Sequence, residues 1–126
     1  MTLVDTSSLV HFLRRKGDGA AKERVRRLLS AGQGAICEIV AVELWMGVRS
    51  KQDGRDMKEL LELLPFLEIN TAVWMMSRRL ALKCREGGVP VPSSDIVIAA
   101  CAFVHGASIE SSDAHFARLE EIWPGA

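Results

Sequence analysis

The chain opens on a short apolar run, Thr2-Leu3-Val4, that stops at Asp5. Apolar runs without alternation predict strands buried on both faces, whereas apolar positions three and four residues apart predict helices. The first strand is therefore followed by a helix starting near Ser7 or Ser8, with Leu9, Val10 and Leu13 on one face. Asp5, Thr6 and Ser7 compete to cap it, and Gly17-Asp18-Gly19 breaks it. A second helix over 20–30 carries Val25, Leu28 and Leu29 inward and closes at Gly32-Gln33-Gly34. Residues 35–40 predict a second strand, blemished by Glu38, and a helix over 41–48 places Glu43 in its first turn.

A helix over 53–64 follows, with Met57, Leu60, Leu61 and Leu64 in helical spacing, stopped by Pro65. Residues 66–69 predict a short third strand. Asn70 or Thr71 then caps a longer helix to Arg85, striped by Val73, Met76, Leu80 and Cys84 and ended by Gly87-Gly88. Val89-Pro90-Val91-Pro92 is a rigid connector. Ser93 or Ser94 caps a helix over 95–104 that is apolar on every side, a pattern that belongs in the middle of a fold. A fourth strand over 107–111, a helix over 114–120 and a last edge strand at Ile122-Trp123 complete the chain. Strands alternating with helices predict an α/β fold: a three-layer α/β/α sandwich around a mainly parallel sheet, as one domain over residues 1–126.

Composition narrows the chemistry only slightly. At 126 residues, with 48% hydrophobic and 25% charged side chains, the chain matches an ordinary soluble domain. Aromatics at 6% and no Tyr require a mainly aliphatic core. Cys37, Cys84 and Cys101 are dispersed in apolar runs, as reduced, buried thiols would be, and no stretch approaches a membrane span. MTLVDTSS has no basic leader pattern, so a cytoplasmic protein is expected. The zero net charge conceals an asymmetry. Residues 1–30 hold seven basic side chains, Arg14, Arg15, Lys16, Lys22, Arg24, Arg26 and Arg27, against Asp5, Asp18 and Glu23. That segment is either a solvated helix face or a basic flank that holds phosphates.

Four acids fall where ligands collect in open α/β sheets, beyond the carboxyl ends of strands. Asp5 ends the first strand, Glu43 follows the second, Asp95 begins the apolar helix, and Asp113 follows the fourth strand. Each alone has a capping explanation, because carboxylates satisfy orphan N–H groups at helix starts. Against it, Ser93 and Ser94 stand beside Asp95, and Thr6, Ser7 and Ser8 beside Asp5, as spare caps. Four gathered carboxylates repel unless a cation neutralises them, and oxygen donors without a His or Cys cluster point to Mg²⁺ or Mn²⁺. Such a centre polarises a phosphate and acidifies bound water, the chemistry of phosphodiester hydrolysis. No nucleophilic Ser or Cys arrangement and no Gly-rich phosphate loop competes with it. His11, His105 and His115 are scattered.

The motifs V-D-T-S-S-L-V (4–10), E-L-x-x-G (43–47), P-x-x-D-x-x-I-A-A (92–100) and S-x-D-x-H-F (111–116) resemble, in order and spacing, the PIN-domain ribonucleases. The likeness is strongest to the VapC toxins of type II toxin–antitoxin systems. The resemblance implies an Mg²⁺- or Mn²⁺-dependent endoribonuclease, a homodimer, and inhibition by a VapB-type antitoxin. It maps the acidic quartet onto Asp5, Glu43, Asp95 and Asp113, with hydroxyl support from Thr6, Ser7 and Ser111. Some members have an Asp where His115 stands; here packing or solvent contact is expected of the imidazole. Arg14, Arg15, Arg24, Arg26 and Arg27 fit an RNA-holding rim, and Trp45 and Met46 fit core or dimer contacts. Leu9, Phe12 and Leu13 fit an antitoxin groove or, more simply, the core. Two other readings remain open: an RNA-processing PIN nuclease that is not a toxin, and a catalytically silent RNA-binding module. A phosphohydrolase using Asp5 as nucleophile fits poorly, because position 7 is Ser.

Overall fold

In the computed structural model, which describes residues 1–123, a parallel three-stranded sheet of order β2-β1-β3 is surrounded by seven helices. Strand β1 (Thr2–Val4) leads into α1 (Thr6–Leu13) and α2 (Gly19–Ser30), then β2 (Gly34–Ala35). Helices α3 (Glu38–Met46), α4 (Lys51–Leu63), α5 (Thr71–Glu86) and α6 (Ser93–His105) follow, then β3 (Ser108–Glu110) and α7 (His115–Ile122). Strand β1 lies between its partners, pairing Leu3 with Ala35 on one side and Val4 with Glu110 on the other. Crossovers from β1 outward to β2 and from β2 back past β1 to β3 run in opposite directions. With the right-handed sense such crossovers take, the two helical groups cover opposite faces.

The core is aliphatic, as a Tyr-free chain demands. Leu3, Val4, Leu9, Val25, Ile36, Val40, Leu80, Ile98 and Leu119 are wholly buried. Helix α6 is central: Ile98, Ala99, Ala100, Cys101 and Ala102 are all excluded from solvent, and α5 packs along it. All three cysteines are buried and unpaired. No helix among the described residues is long and apolar enough to cross a membrane.

Several element boundaries differ from the sequence expectation. The second strand does not run over 35–40; it ends at Ala35, and the chain is helical from Glu38. Cys37 is the extended N-cap of α3, and Glu38 is the acid of its first turn, where a carboxylate interacts favourably with the helix dipole. That accounts for an acid amid apolar residues, and the β-branched Ile39 and Val40 misled because burial outweighs propensity. The expected strand over 66–69 is reduced to one parallel bridge, Ile36 with Phe66. Ile122 and Trp123 form no edge strand: Ile122 ends α7, and Trp123 stacks on Phe103 at 6.0 Å. The guanidinium of Arg79 lies 5.2 Å above the same indole. Between α1 and α2 the chain turns tightly enough that a Cβ on Gly17 would run into the His11 carbonyl.

Candidate metal centre

The parallel pairing of β1 and β3 brings their carboxyl ends together, with Asp5 N–H donating to Glu110 O at 2.8 Å. Asp5 emerges beside the Ser111–Asp113 loop as a direct result. Its Oδ2 accepts from Ser7 Oγ at 2.7 Å, from Ser111 Oγ at 3.0 Å and from Ser7 N at 3.3 Å. Asp5 is thus the N-cap of α1, so Thr6, Ser7 and Ser8 are not spare caps. The Ser7 hydroxyl also accepts from Ser112 N and sits 3.1 Å from Ser111 Oγ. Ser111 Oγ in turn accepts from Asp113 N at 2.9 Å. This hydroxyl network explains how a carboxylate only 3% exposed is tolerated: its charge is met by three donors.

Glu43 sits on the sixth residue of α3, well inside the helix, so the capping explanation for it falls away. Its Oε1 accepts from Thr6 Oγ1 at 2.8 Å, joining α3 to the start of α1. Asp95, 8% exposed, is on the third residue of α6. Neither Ser93 nor Ser94 caps that helix: Pro92 occupies the N-cap, with no side-chain bond. Asp113 accepts from His115 N at 2.9 Å.

His115 is neither packed away nor merely solvated, contrary to expectation. Its Nδ1 lies 2.8 Å from Asp95 Oδ2 and 3.1 Å from Asp113 Oδ1. One ligand atom from each of these three residues falls within 4.8 Å of the others, a spacing able to hold a metal ion. The motif spacing did carry the signal, because S-x-D-x-H puts the ring two residues beyond Asp113.

Electrostatics link the acids. Burial raises the Glu43 carboxyl above its ordinary 4.5, the Thr6 hydroxyl opposes this, and the charges of Asp5 and Asp95 add to the rise. Burial likewise raises Asp95 above 3.8, opposed by the His115 hydrogen bond and reinforced by Asp5 and Asp113. Carboxylates that disfavour one another's ionisation form a site whose charge a cation would neutralise.

The basic residues are not gathered there. Arg26 and Arg27 grip Glu23, holding its carboxyl down at about 2. Arg24 pairs with Glu110 at 2.8 Å. Arg14 and Arg15 are exposed, and Arg14 lines a cavity of about 420 Å³ together with Val10, Leu13, Leu44, Val48 and Met57. Trp45 and Met46 are not core residues, being 45% and 81% exposed.

Residues 2–122 match the PIN domain family. The chain belongs to that family. Ribonuclease VapC11 of Mycobacterium tuberculosis is 38% identical over 126 residues, covering 97% of this PIN domain and 93% of the relative. DNA-bound VapBC from Salmonella typhimurium superposes with a TM-score of 0.78 at 20% identity, over 99% of this chain and 95% of the other. VapBC-5 of M. tuberculosis, described as a member of the VapBC family of toxin–antitoxin systems, gives 0.67 at 21% identity, over 94% and 90%. The structural matches support the α/β/α PIN fold; the sequence match carries the kinship to VapC ribonucleases.

Proposed function

We propose that this PIN domain is a divalent-metal-dependent endoribonuclease acting as the toxin of a type II toxin–antitoxin pair. What supports the reading is that Asp95, Asp113 and His115 offer ligand atoms within 4.8 Å of one another, with Asp5 bonded to Ser111 of the adjoining loop and Glu43 to Thr6 beside Asp5, in a chain 38% identical to VapC ribonucleases. The donor set fits Mg²⁺ or Mn²⁺: carboxylate oxygens dominate, and the mutual repulsion of the acids favours occupancy. Asp95 and Asp113 would hold the cation directly, with Asp5 and Glu43 completing the charge. When bound, the cation supplies Lewis-acid polarisation of a phosphodiester and acidification of water.

The protein's own part is positioning. Ser7 and Ser111 fix the Asp5 carboxylate, and Thr6 fixes that of Glu43. Pre-set ligands lower the reorganisation needed at reaction, which is where sites of this kind gain rate. Arg14, exposed beside the 420 Å³ cavity, is the arginine of the first thirty residues best placed to meet RNA phosphate or a partner, since Arg24, Arg26 and Arg27 are engaged. The apolar floor of that cavity, formed by Val10, Leu13, Leu44, Val48 and Met57, suits an apolar segment of a VapB-type antitoxin. Leu9 is excluded from this role by complete burial. A cytoplasmic homodimer belongs to the same reading, and the exposed Val42, Trp45 and Met46 on α3 form an apolar patch of the kind that self-association covers.

The test is RNA cleavage by the purified chain in Mg²⁺ or Mn²⁺. Cleavage should be lost in EDTA and in Asp5→Ala or Asp95→Ala variants that remain folded. Undiminished cleavage by those variants would overturn the reading. Growth arrest on induction, relieved by the gene encoded beside it, separates a toxin from an RNA-processing nuclease. RNA binding without cleavage in Mn²⁺ would instead identify a silent binding module.

A further inference from the structure

His115 is the nitrogen donor that the described residues place among the acids. Its ring is anchored: the backbone N–H bonds to Asp113 Oδ1 at 2.9 Å, and the next residue, Phe116, is buried in the core. From that anchor Nδ1 faces oxygens of Asp95 and Asp113 at 2.8 and 3.1 Å. A ring nitrogen with one proton satisfies one acceptor, yet this nitrogen sits between two carboxylates that repel each other. The space bounded by these three atoms is the one in which a cation would meet Asp95 and Asp113.

We infer that His115 supplies a ring-nitrogen ligand to the divalent cation, giving the centre a mixed nitrogen and oxygen donor set that favours Mn²⁺ over Mg²⁺. The inference rests on the reading of Asp95 and Asp113 as metal ligands given above. Mg²⁺ demands oxygen donors in near-ideal octahedral geometry and retains water reluctantly shed, whereas imidazole binds transition ions well. Mn²⁺ shares the preference of Mg²⁺ for carboxylate oxygens, but as a first-row transition ion it takes a ring nitrogen more readily than Mg²⁺ does. An imidazole acting only from outside the coordination shell would orient the carboxylates by hydrogen bonding and support both ions alike. The two roles therefore separate on selectivity.

The experiment titrates the metal-free 126-residue chain with Mn²⁺ alone and with Mg²⁺ alone, and records pulsed paramagnetic resonance of the Mn²⁺ form. The wild type should show ¹⁴N modulation from a directly bound ring, a measurement that requires no variant. In His115→Ala the modulation should vanish and the preference for Mn²⁺ over Mg²⁺ be lost, Mn²⁺ affinity falling while Mg²⁺ affinity is little changed. Absence of ¹⁴N coupling in the wild type, or an equal loss for both ions in His115→Ala, would overturn the inference while leaving the carboxylate site intact. If Asp95→Asn and Asp113→Asn bind Mn²⁺ as tightly as the wild type, the carboxylate reading itself fails, and this inference with it.

Discussion

Asp5 and Asp95 are both nearly buried acids, but they are stabilised differently. Asp5 is met by three donors from Ser7 and Ser111, whereas Asp95 has the His115 ring and is disfavoured as an anion by the like charges of Asp5 and Asp113. Removing the Asp95 charge should therefore relieve strain. Asp95→Asn should lower RNA cleavage by at least about a hundredfold, as loss of a charged group acting on the transition state does, without lowering the melting temperature of the metal-free protein. Cleavage rates and calorimetry on the same samples check both halves. The pH dependence follows from the same shifts. The folded carboxyls of Glu43 and Asp95 titrate above their ordinary 4.5 and 3.8, so the folded state binds more protons than the unfolded one in that interval. Their contribution thus favours folding at low pH and declines as pH rises from about 4 through the raised values, then levels off. Melting curves in EDTA, compared between wild type and the Glu43→Gln/Asp95→Asn variant, should show this decline in the wild type alone. Asp5 and Asp113 were legible from their places just beyond the ends of β1 and β3, and Asp95 from its place at the head of the apolar helix α6. What sequence could not show was the phase of α3: Glu43 falls mid-helix because the helix begins at Glu38, directly after the extended N-cap Cys37.

At the scale of elements, the end of β3 and the loop bearing Asp113 are held by contacts from two helices, α1 and α2. Glu110, the last residue of β3, accepts from the buried Ser8 of α1 at 2.7 Å and from Arg24 of α2 at 2.8 Å, and Ser8 also reaches Ser112 Oγ at 3.1 Å. Glu110→Ala leaves the buried Ser8 hydroxyl with a single partner and releases Arg24. A loss of about 1–3 kcal/mol by urea denaturation is expected, the cost of a poorly satisfied buried polar group. The α1–α2 turn offers a second case. Gly17→Ala places a methyl against the His11 carbonyl, and backbone must shift to admit it; about 1–3 kcal/mol should be lost in the same assay. Helices with clear stripes and caps, such as α5 capped by Asn70 through Val73 N, were readable from spacing. The short strands were not, because a two-residue strand such as β2 has no period to detect.

For the molecule as a whole, metal and stability should be linked. If the cation binds only the folded site, it stabilises by mass action, about 2.7 kcal/mol at a hundredfold excess over its dissociation constant. Removal by EDTA at neutral pH should lower the melting temperature of the wild type and leave that of Asp95→Asn nearly unchanged. The layered α/β architecture, the aliphatic core and the apolar centre at α6 follow from the order and composition of segments, since burial of apolar runs admits few arrangements. The aggregate positive charge of residues 1–30 does not by itself locate a binding rim, because Arg26 and Arg27 pair with Glu23 one turn away and Arg24 with Glu110 of β3. Sequence alone thus determined which residues are candidates and which class of fold carries them, because periodicity, caps and motif spacing are local properties. Only the tertiary structure decided that Asp5 caps α1 while lying against Ser111, that Glu43 faces Thr6, and that His115 points its ring at Asp95 and Asp113. Those outcomes depend on β1 lying beside β3 and on α3 and α6 packing together, and long-range pairing leaves no local trace in the chain.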